Sequence, residues 1–327
     1  MPSIRARLTS AFLRLTLKPL WKPGLDLAHV RAHAAKSDRR MGRPTRPLVT
    51  QPADVAGVRA TWVGDASLES RGTILYLHGG AWVMHLPRVY LRFAGELSAL
   101  TGMRVLLVDY RLAPEHPYPA AIDDCLAAYR WLLEHGYRGR PLAIAGDSAG
   151  GNLTAITLMR ARDAGLPLPD CAVMLSPALD ITFSGPSVQY NAEADAMFTL
   201  VAGDLLPQFY CPGELRTNPH VSPLFGDWAG LPPLLFHAGS TEMLLDDSVR
   251  GHDRARQAGT AAEIRVFVDL PHVFQVMRWI PESGPALQDI AGFIGRHAAA
   301  RLHAPAASPA SAAPAETDPA PLERGVL

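Results

Sequence analysis

Short, continuous runs of apolar residues alternate with segments of helical periodicity along most of this chain. The runs of strand length are residues 58–63, 73–77, 105–108, 142–145, 172–175, 234–236 and 264–268. The helical patterns lie at about 88–101, 119–135, 149–164, 246–258 and 285–302. Continuous apolar runs are expected where parallel strands are covered on both faces. The alternation therefore predicts a doubly wound, mostly parallel α/β sheet.

The first fifty residues follow a different pattern, because five prolines punctuate them. Residues 1–50 are therefore predicted to hold short helices and an extended linker. Leu8, Phe12 and Leu15 fall on one face of the first helix, and we expect this face to pack on the domain.

Two further segments depart from the alternation within the predicted core of residues 51–302. Residues 180–230 are rich in proline, glycine and aromatic residues, and are predicted to form an insertion above the sheet. Residues 303–327 are dominated by alanine and proline without apolar periodicity, and are predicted to be disordered.

Length and charge limit the classes of function. The chain has 327 residues, of which 48% are hydrophobic, so one large α/β domain with appendages can bury a core. The formal net charge is zero, which gives no indication of a nucleic-acid partner. Residues 1–47 nevertheless carry eleven Lys or Arg against two Asp, and a contact of this basic start with a membrane surface stays open.

The number of cysteines and the length of the apolar runs indicate where in the cell the protein is located. No apolar run approaches the ~18 residues of a membrane helix, and Arg14 and Lys18 interrupt the N-terminal apolar residues, which argues against a secretory signal. The Arg-rich start without acidic residues is also typical of an organellar transit peptide, which is the alternative. Cys125, Cys171 and Cys211 are odd in number and lack metal-ligand spacing, so we expect free thiols and a cytoplasmic location.

The stretch Gly146–Gly150 has the pattern Gly-x-Ser-x-Gly, with Ser148 at its centre. It follows the apolar run 142–145 and precedes a helical segment. Strand, tight turn and helix form the context in which a fold presents a serine as a nucleophile. Because short motifs of this kind also arise by chance, the remaining parts of a catalytic site must be found elsewhere in the chain.

A serine nucleophile needs donors for the developing oxyanion. His78–Trp82 directly follows the run 73–77 and supplies the backbone N–H groups of Gly79, Gly80 and Ala81. The N–H of Ala149, the residue after the serine, is the further candidate donor.

A serine nucleophile also needs a general base and an acid that orients it. His272 follows the last predicted strand, where the base is expected, and His78 is interpreted as an anchor of the oxyanion loop. Glu242 leaves the run 234–236 and is the preferred acid. Asp246 and Asp247 are the alternatives, Asp246 before Asp247, although both fall at a predicted helix start, where acids complement the helix dipole.

These motifs together resemble the hormone-sensitive-lipase family of α/β hydrolases, which includes many bacterial carboxylesterases. The resemblance rests on residues 78–82, 109–121, 146–151, 239–247 and 270–274. It implies an α/β-hydrolase core under a cap formed by the N-terminal residues and the insertion. Ala81 stands where the family often has a third glycine, and Glu242 where many relatives have aspartate.

The activity implied by the resemblance is hydrolysis of short- to medium-chain carboxylic esters through an acyl-enzyme on Ser148. Lactone, amide and thioester substrates share this chemistry and are alternatives. A non-catalytic ligand-binding protein of the same fold is the alternative outside catalysis. No cofactor and no metal is expected, and the partner is a small-molecule ester. The sequence leaves open whether the chain forms a homodimer.

Two structural roles are also expected around the motifs. Asp109, Arg111 and Glu115 are predicted to form one buried ion-pair network beneath the active site, and Asp147 to accept hydrogen bonds that fix a loop. Aromatic residues near the motifs are candidates to line an apolar substrate pocket: Trp82, Tyr110, Phe198, Phe209, Tyr210 and Phe274.

Overall fold

The computed structural model describes residues 1–44, 47–137 and 139–302. The predicted disordered tail, residues 303–327, lies outside this range. Within the described residues, eight strands form one sheet in the order β1-β2-β4-β3-β5-β6-β7-β8. The strands are β1 (Thr50–Val55), β2 (Val58–Val63), β3 (Thr73–Leu77), β4 (Arg104–Val108), β5 (Leu142–Asp147), β6 (Cys171–Leu175), β7 (Leu234–Gly239) and β8 (Ala262–Phe267).

The sheet is mostly parallel, as predicted. β1 pairs antiparallel with β2, and β2 antiparallel with β4, whereas the pairs from β4 to β8 are parallel. Every residue of β3 to β7 is buried, which explains their continuous apolar runs. Sequence analysis missed β1, an exposed edge strand that contains Pro52; proline is tolerated at such an edge.

Helices cover both faces of the sheet. They are α1 (Ile4–Thr16), α2 (Leu27–Met41), α3 (Pro87–Thr101), α4 (Ala120–Leu132), α5 (Ala149–Asp163), α6 (Ser187–Tyr190), α7 (Leu200–Tyr210), α8 (Leu245–Gln257) and α9 (Ser283–Leu302). One core cluster joins α3 and α9 to the sheet, and another joins α4 and α5 to the opposite face. The doubly wound α/β fold is therefore confirmed.

The insert, defined here as residues 176–233 between β6 and β7, contacts the N-terminal residues. Lys18 Nζ donates to the backbone carbonyls of Ala192 and Asp195 at 2.8 and 2.7 Å. Trp21 Nε1 donates to the carbonyl of Met197 at 2.7 Å. These bonds hold the first two helices against the insert.

The expectation for the apolar face of α1 is wrong. Leu8, Phe12 and Leu15 are exposed, whereas the buried residues of α1 are the small Ala6 and Thr9. No helix among the described residues has the length and apolar character needed to span a bilayer.

Candidate active site

The turn between β5 and α5 holds Ser148 in a strained conformation. Its φ is 52° and its ψ is −119°, a backbone state that costs a non-glycine residue about 1–3 kcal/mol. The Ser148 N–H donates to the carbonyl of Leu175 at 2.8 Å, which ties the turn to β6. Gly150 is required because a Cβ there would lie 2.0 Å from the backbone oxygen of Leu77. Close packing of α5 against β3 thus fixes the serine at the carboxyl edge of the sheet.

Glu242 and His272 meet at the same edge, in the loops after β7 and β8. Glu242 Oε2 lies 2.5 Å from His272 Nδ1, and both side chains are buried. The other carboxylate oxygen, Oε1, accepts from the N–H of Gly239 at 2.5 Å and from Ser176 Oγ at 2.9 Å. Because both oxygens have donors, the carboxylate is held in one orientation. Ser176 was not found by sequence reasoning, since no motif distinguishes it.

The first alternative acid, Asp246, lies elsewhere. Its carboxylate accepts from the Ser187 N–H at 2.6 Å and from the Tyr190 hydroxyl at 3.3 Å, so it anchors α6 to α8. The structure thus brings Glu242, and not Asp246, to His272.

His272 has the electrostatics of a base oriented by an acid. Burial lowers its pKa, but the hydrogen bond and negative charge of Glu242 outweigh burial and raise the pKa above its ordinary value. Its Nε2 is buried without a hydrogen-bond partner among the described residues. His272 and Ser148 line the same cavity. Hydrogen bonds between catalytic groups are often long without substrate, so this arrangement is compatible with proton transfer from the serine.

The segment after β3 offers two of its three candidate donors to the cavity. The Gly79 N–H is used, because it donates to Asp147 Oδ1 and to the Tyr90 hydroxyl, each at 3.0 Å. The prediction that the Gly79 N–H serves as an oxyanion donor is therefore wrong; this N–H anchors the loop to Asp147 and Tyr90. Gly80 and Ala81 line the cavity beside Ser148.

Ala149 supplies the remaining candidate donor. It is the first residue of α5, and the first N–H groups of a helix have no acceptor within that helix. Its N–H is also next to the serine in sequence, at the end of the helix that carries the positive part of the dipole.

His78 fixes the peptide that carries the Gly80 N–H. Its Nδ1 lies 2.7 Å from the carbonyl oxygen of Gly79, and its ring is stacked between those of His85 and Tyr110. The Tyr110 hydroxyl donates to the His78 carbonyl at 2.6 Å. Burial lowers the pKa of His78 well below its ordinary value, which keeps the ring neutral. Sequence reasoning proposed His78 as an anchor but missed His85.

Asp147 connects the nucleophile turn to the same loop. It accepts from the hydroxyls of Tyr76 and Tyr90 at 2.8 Å each, in addition to the Gly79 N–H. Burial raises its pKa to about 6, although these hydrogen bonds oppose the rise. The expected role of Asp147 as an acceptor that fixes a loop is confirmed by these contacts.

The predicted single ion-pair network is wrong. Arg111 pairs with Asp124 at 2.7 Å, and Glu115 pairs with Arg31 of α2 at 2.5 Å. Asp109 instead lies 3.1 Å from His85 Nδ1. Arg111 and Glu115 are also half-exposed, so these are separate pairs that fasten α2 and α4 to the loop after β4.

The cluster of His78, His85 and Asp109 is the one group of possible metal ligands found among the described residues. Its geometry does not favour a metal, because the two imidazole rings are stacked 4.1 Å apart with an angle of 13° between their planes. Their nitrogen lone pairs therefore lie in nearly parallel planes and do not converge on one point.

Two apolar cavities meet at Ser148. The larger, of about 180 Å³, extends beneath α1 and α2, and the smaller, of about 30 Å³, extends beneath α7 of the insert. Ser148, Ala81 and Phe198 line both. Of the six aromatic residues expected to line a pocket, Phe198 and Trp82 do so. Tyr110, Tyr210 and Phe274 are buried in the core, and Phe209 is partly buried against it.

Comparison with known proteins gives consistent relatives. The α/β-hydrolase-fold family matches residues 74–276. An esterase of Acinetobacter venetianus is 36% identical over 253 residues, which are 76% of this chain and 83% of the relative. The carboxylesterase/phospholipase LipF of Mycobacterium tuberculosis is 36% identical over 308 residues, 90% of this chain and 82% of the relative.

Solved structures agree with these relatives. The crystal structure of the esterase EstE5 soaked with p-nitrophenyl butyrate has a TM-score of 0.84 and 35% identity, covering 91% of this chain and 99% of its own. The structure of an esterase from the bacterial hormone-sensitive-lipase family has a TM-score of 0.85 and 34% identity, with the same coverage. The chain therefore belongs to the hormone-sensitive-lipase family of α/β hydrolases.

Proposed function

We propose that this enzyme hydrolyses short- to medium-chain carboxylic esters through an acyl-enzyme on Ser148. The observation that carries the proposal is the 2.5 Å contact between Glu242 and His272, with His272 facing the cavity that Ser148 also lines. Relatives named esterase, acetyl-hydrolase and carboxylesterase support ester hydrolysis as the activity.

The proposed reaction has two steps. Ser148 Oγ attacks the ester carbonyl while His272 Nε2 takes the hydroxyl proton, and Glu242 stabilises the imidazolium that forms. The alcohol then leaves with that proton. Water, deprotonated by His272, attacks the acyl carbon; the bond to Ser148 Oγ breaks, Oγ takes the proton back from His272, and the acid leaves.

The oxyanion of each tetrahedral intermediate accepts hydrogen bonds from the N–H groups of Gly80, Ala81 and Ala149. These donors are part of a prepositioned backbone, because His78 holds the Gly79 carbonyl and Asp147 holds the Gly79 N–H. Donors fixed before the reaction need no reorganisation as negative charge develops.

The two cavities suit an ester with unequal sides. We propose that the N-terminal helices and the insert form the cap that encloses them, one cavity for the acyl group and one for the alcohol. A space of about 30 Å³ admits only a short group, whereas the larger cavity admits a longer chain. Lactones, amides and thioesters use the same acyl chemistry and are distinguished by a substrate panel.

The test uses p-nitrophenyl butyrate and a fluorophosphonate probe. The wild-type enzyme should hydrolyse the ester and be labelled on Ser148, and a folded Ser148→Ala variant should do neither. Glu242→Gln should lower kcat by about 10³–10⁴-fold, since the base loses its orienting carboxylate. Asp246→Asn is the matched control and should retain activity. Normal turnover by Ser148→Ala would refute the assignment.

Location and assembly are separate proposals. All three cysteines are free and buried, which supports a cytoplasmic location for the enzyme. A homodimer stays a prediction, and light scattering of the purified chain measures it.

A further inference from the structure

Helix α1 presents its large apolar side chains to solvent. Ile4, Leu8, Phe12 and Leu15 recur at intervals of four, four and three residues, so they share one face. Their side chains are between 58% and 79% exposed. Helices of globular proteins normally turn such a face inward, and a contiguous exposed apolar surface indicates an interaction site.

Arginines border one side of this apolar face. A groove between α1 and the end of α2, named here the basic groove, is lined on its rim by Arg5, Arg40, Arg43 and Arg278. The described residues that line it include no Asp or Glu. All four arginines are exposed, and none forms an ion pair with another described residue.

The basic groove is continuous with the active-site cavity. Phe12, Leu13, Met41 and Trp279 line both of them. An apolar chain that enters from the α1 face would therefore pass these four side chains on its way to Ser148.

We propose that α1 and the basic groove bind the surface of an anionic lipid bilayer. The apolar side chains of α1 would enter the boundary between headgroups and acyl chains, while the arginines meet the lipid phosphates. Nothing spans the bilayer in this arrangement. The further consequence, that the cavity receives acyl groups from the bilayer, rests on the proposed esterase function.

Charge favours a lipid surface over a second copy of this chain. In a symmetric dimer the same patch faces itself, and the described lining of the basic groove offers the partner's arginines no Asp or Glu. An anionic bilayer supplies both an apolar layer for α1 and negative charge for the arginines.

Vesicle sedimentation tests the proposal. The full-length Ser148→Ala variant, which leaves lipids intact, is mixed with phosphatidylcholine vesicles with or without phosphatidylglycerol. Binding should require phosphatidylglycerol and should weaken as salt rises. Each of Arg40→Gln and Arg43→Gln should reduce partitioning about fivefold.

An apolar double variant separates binding from catalysis. Ile4→Ser with Leu15→Ser should weaken vesicle binding at least about tenfold. Neither residue lines a cavity described above, so the same double change in the enzyme that keeps Ser148 should leave hydrolysis of soluble p-nitrophenyl butyrate unchanged. Leu100→Ser with Val268→Ser, which also removes two exposed apolar side chains, is the matched control and should bind like the parent.

Three outcomes would overturn the proposal: no vesicle binding, equal binding to vesicles without phosphatidylglycerol, or a dimer in solution that the Ile4→Ser and Leu15→Ser changes dissociate. The last outcome would assign the α1 face to a second copy. Because sedimentation does not depend on turnover, an inactive wild-type enzyme that still binds vesicles would refute only the esterase function.

Discussion

Replacing Asp147 by asparagine tests how burial and hydrogen bonds set the pKa of the carboxyl that anchors the loop of the proposed oxyanion donors. The carboxylate is completely buried and accepts hydrogen bonds from Tyr76, Tyr90 and Gly79. Asparagine has the same shape and keeps one accepting oxygen, and a tyrosine hydroxyl can accept from the new amide. The change therefore removes a titratable charge while leaving most of the packing in place.

The magnitude follows from the pKa. Burial raises the pKa of Asp147 from its ordinary 3.8 to about 6. A carboxyl with a raised pKa stabilises the folded state fully below the unfolded value, and this contribution is lost as pH rises through the folded value. The difference corresponds to ~3 kcal/mol of unfolding free energy, lost between about pH 4 and pH 6. An amide does not titrate, so the variant should gain stability relative to wild type over that range.

Urea unfolding at several values between about pH 4.5 and pH 8 measures this difference. The unfolding free energy of Asp147→Asn minus that of wild type should rise by ~2 kcal/mol across this range, because the rest of the total is already lost at pH 4.5. Glu115→Gln is the control, because the hydrogen bond from Arg31 lowers the pKa of Glu115 to about 2. The Glu115 carboxylate loses its stabilising effect mainly below about pH 4.5. The unfolding free energy of Glu115→Gln minus that of wild type should therefore stay nearly constant over the measured range.

The sign of the slope decides the question. A flat difference for Asp147→Asn would mean that burial does not raise the pKa of this carboxyl. A difference that falls with rising pH would mean that the three donors stabilise the carboxylate more than burial penalises it.

Two further predictions concern turnover. The proposed base, His272, accepts a proton only when it is neutral. Burial lowers its pKa but Glu242 raises it, so kcat/KM should fall on acidification with a midpoint above the ordinary 6.5. A pH–rate profile measures this midpoint, and a value at or below 6.5 would contradict the prediction. Gly80→Ala should lower kcat by about 10²–10³-fold in a folded protein, because the loop must shift and move the proposed N–H donor of residue 80. The shift is required because φ is 120° at Gly80 and a Cβ would lie 2.1 Å from the Met84 carbonyl oxygen. Unchanged kcat would remove Gly80 from the oxyanion donors.

The nucleophile turn was predictable because its determinants are local in sequence. A buried strand, Ser148 between two glycines, and a following helix lie within one short segment, and backbone crowding dictates the glycines. His272 and Glu242 were found by strand order. In a parallel sheet the carboxyl ends of the strands meet at one edge, so residues far apart in sequence converge there.

Pairings between distant side chains were not predictable. Glu115 lies near Asp109 and Arg111 in sequence, yet its partner is Arg31, 84 residues away. Several nearby partners have the right charge, and only the docking of α2 decides among them. The same holds for Ser176, which donates a hydrogen bond to Glu242, 66 residues away. No motif near either residue indicates this contact.

Helix α1 shows what a periodic pattern leaves undetermined. The 3.6-residue repeat predicts that Leu8, Phe12 and Leu15 share a face, but it does not say which side of the helix meets the domain. Polar contacts determine which side meets the domain. Trp279 Nε1 donates to Thr9 Oγ1 at 2.8 Å, and the buried face of α1, formed by Ala6 and Thr9, packs on the domain at this point. The anchors turn the apolar face outward and at the same time place Phe12 over the cavity of Ser148. The orientation that exposes the apolar side chains of α1 to water is thus the one that connects them to the cavity of Ser148. If that cavity takes apolar acyl groups, as proposed, the exposed face gives them a path to the serine.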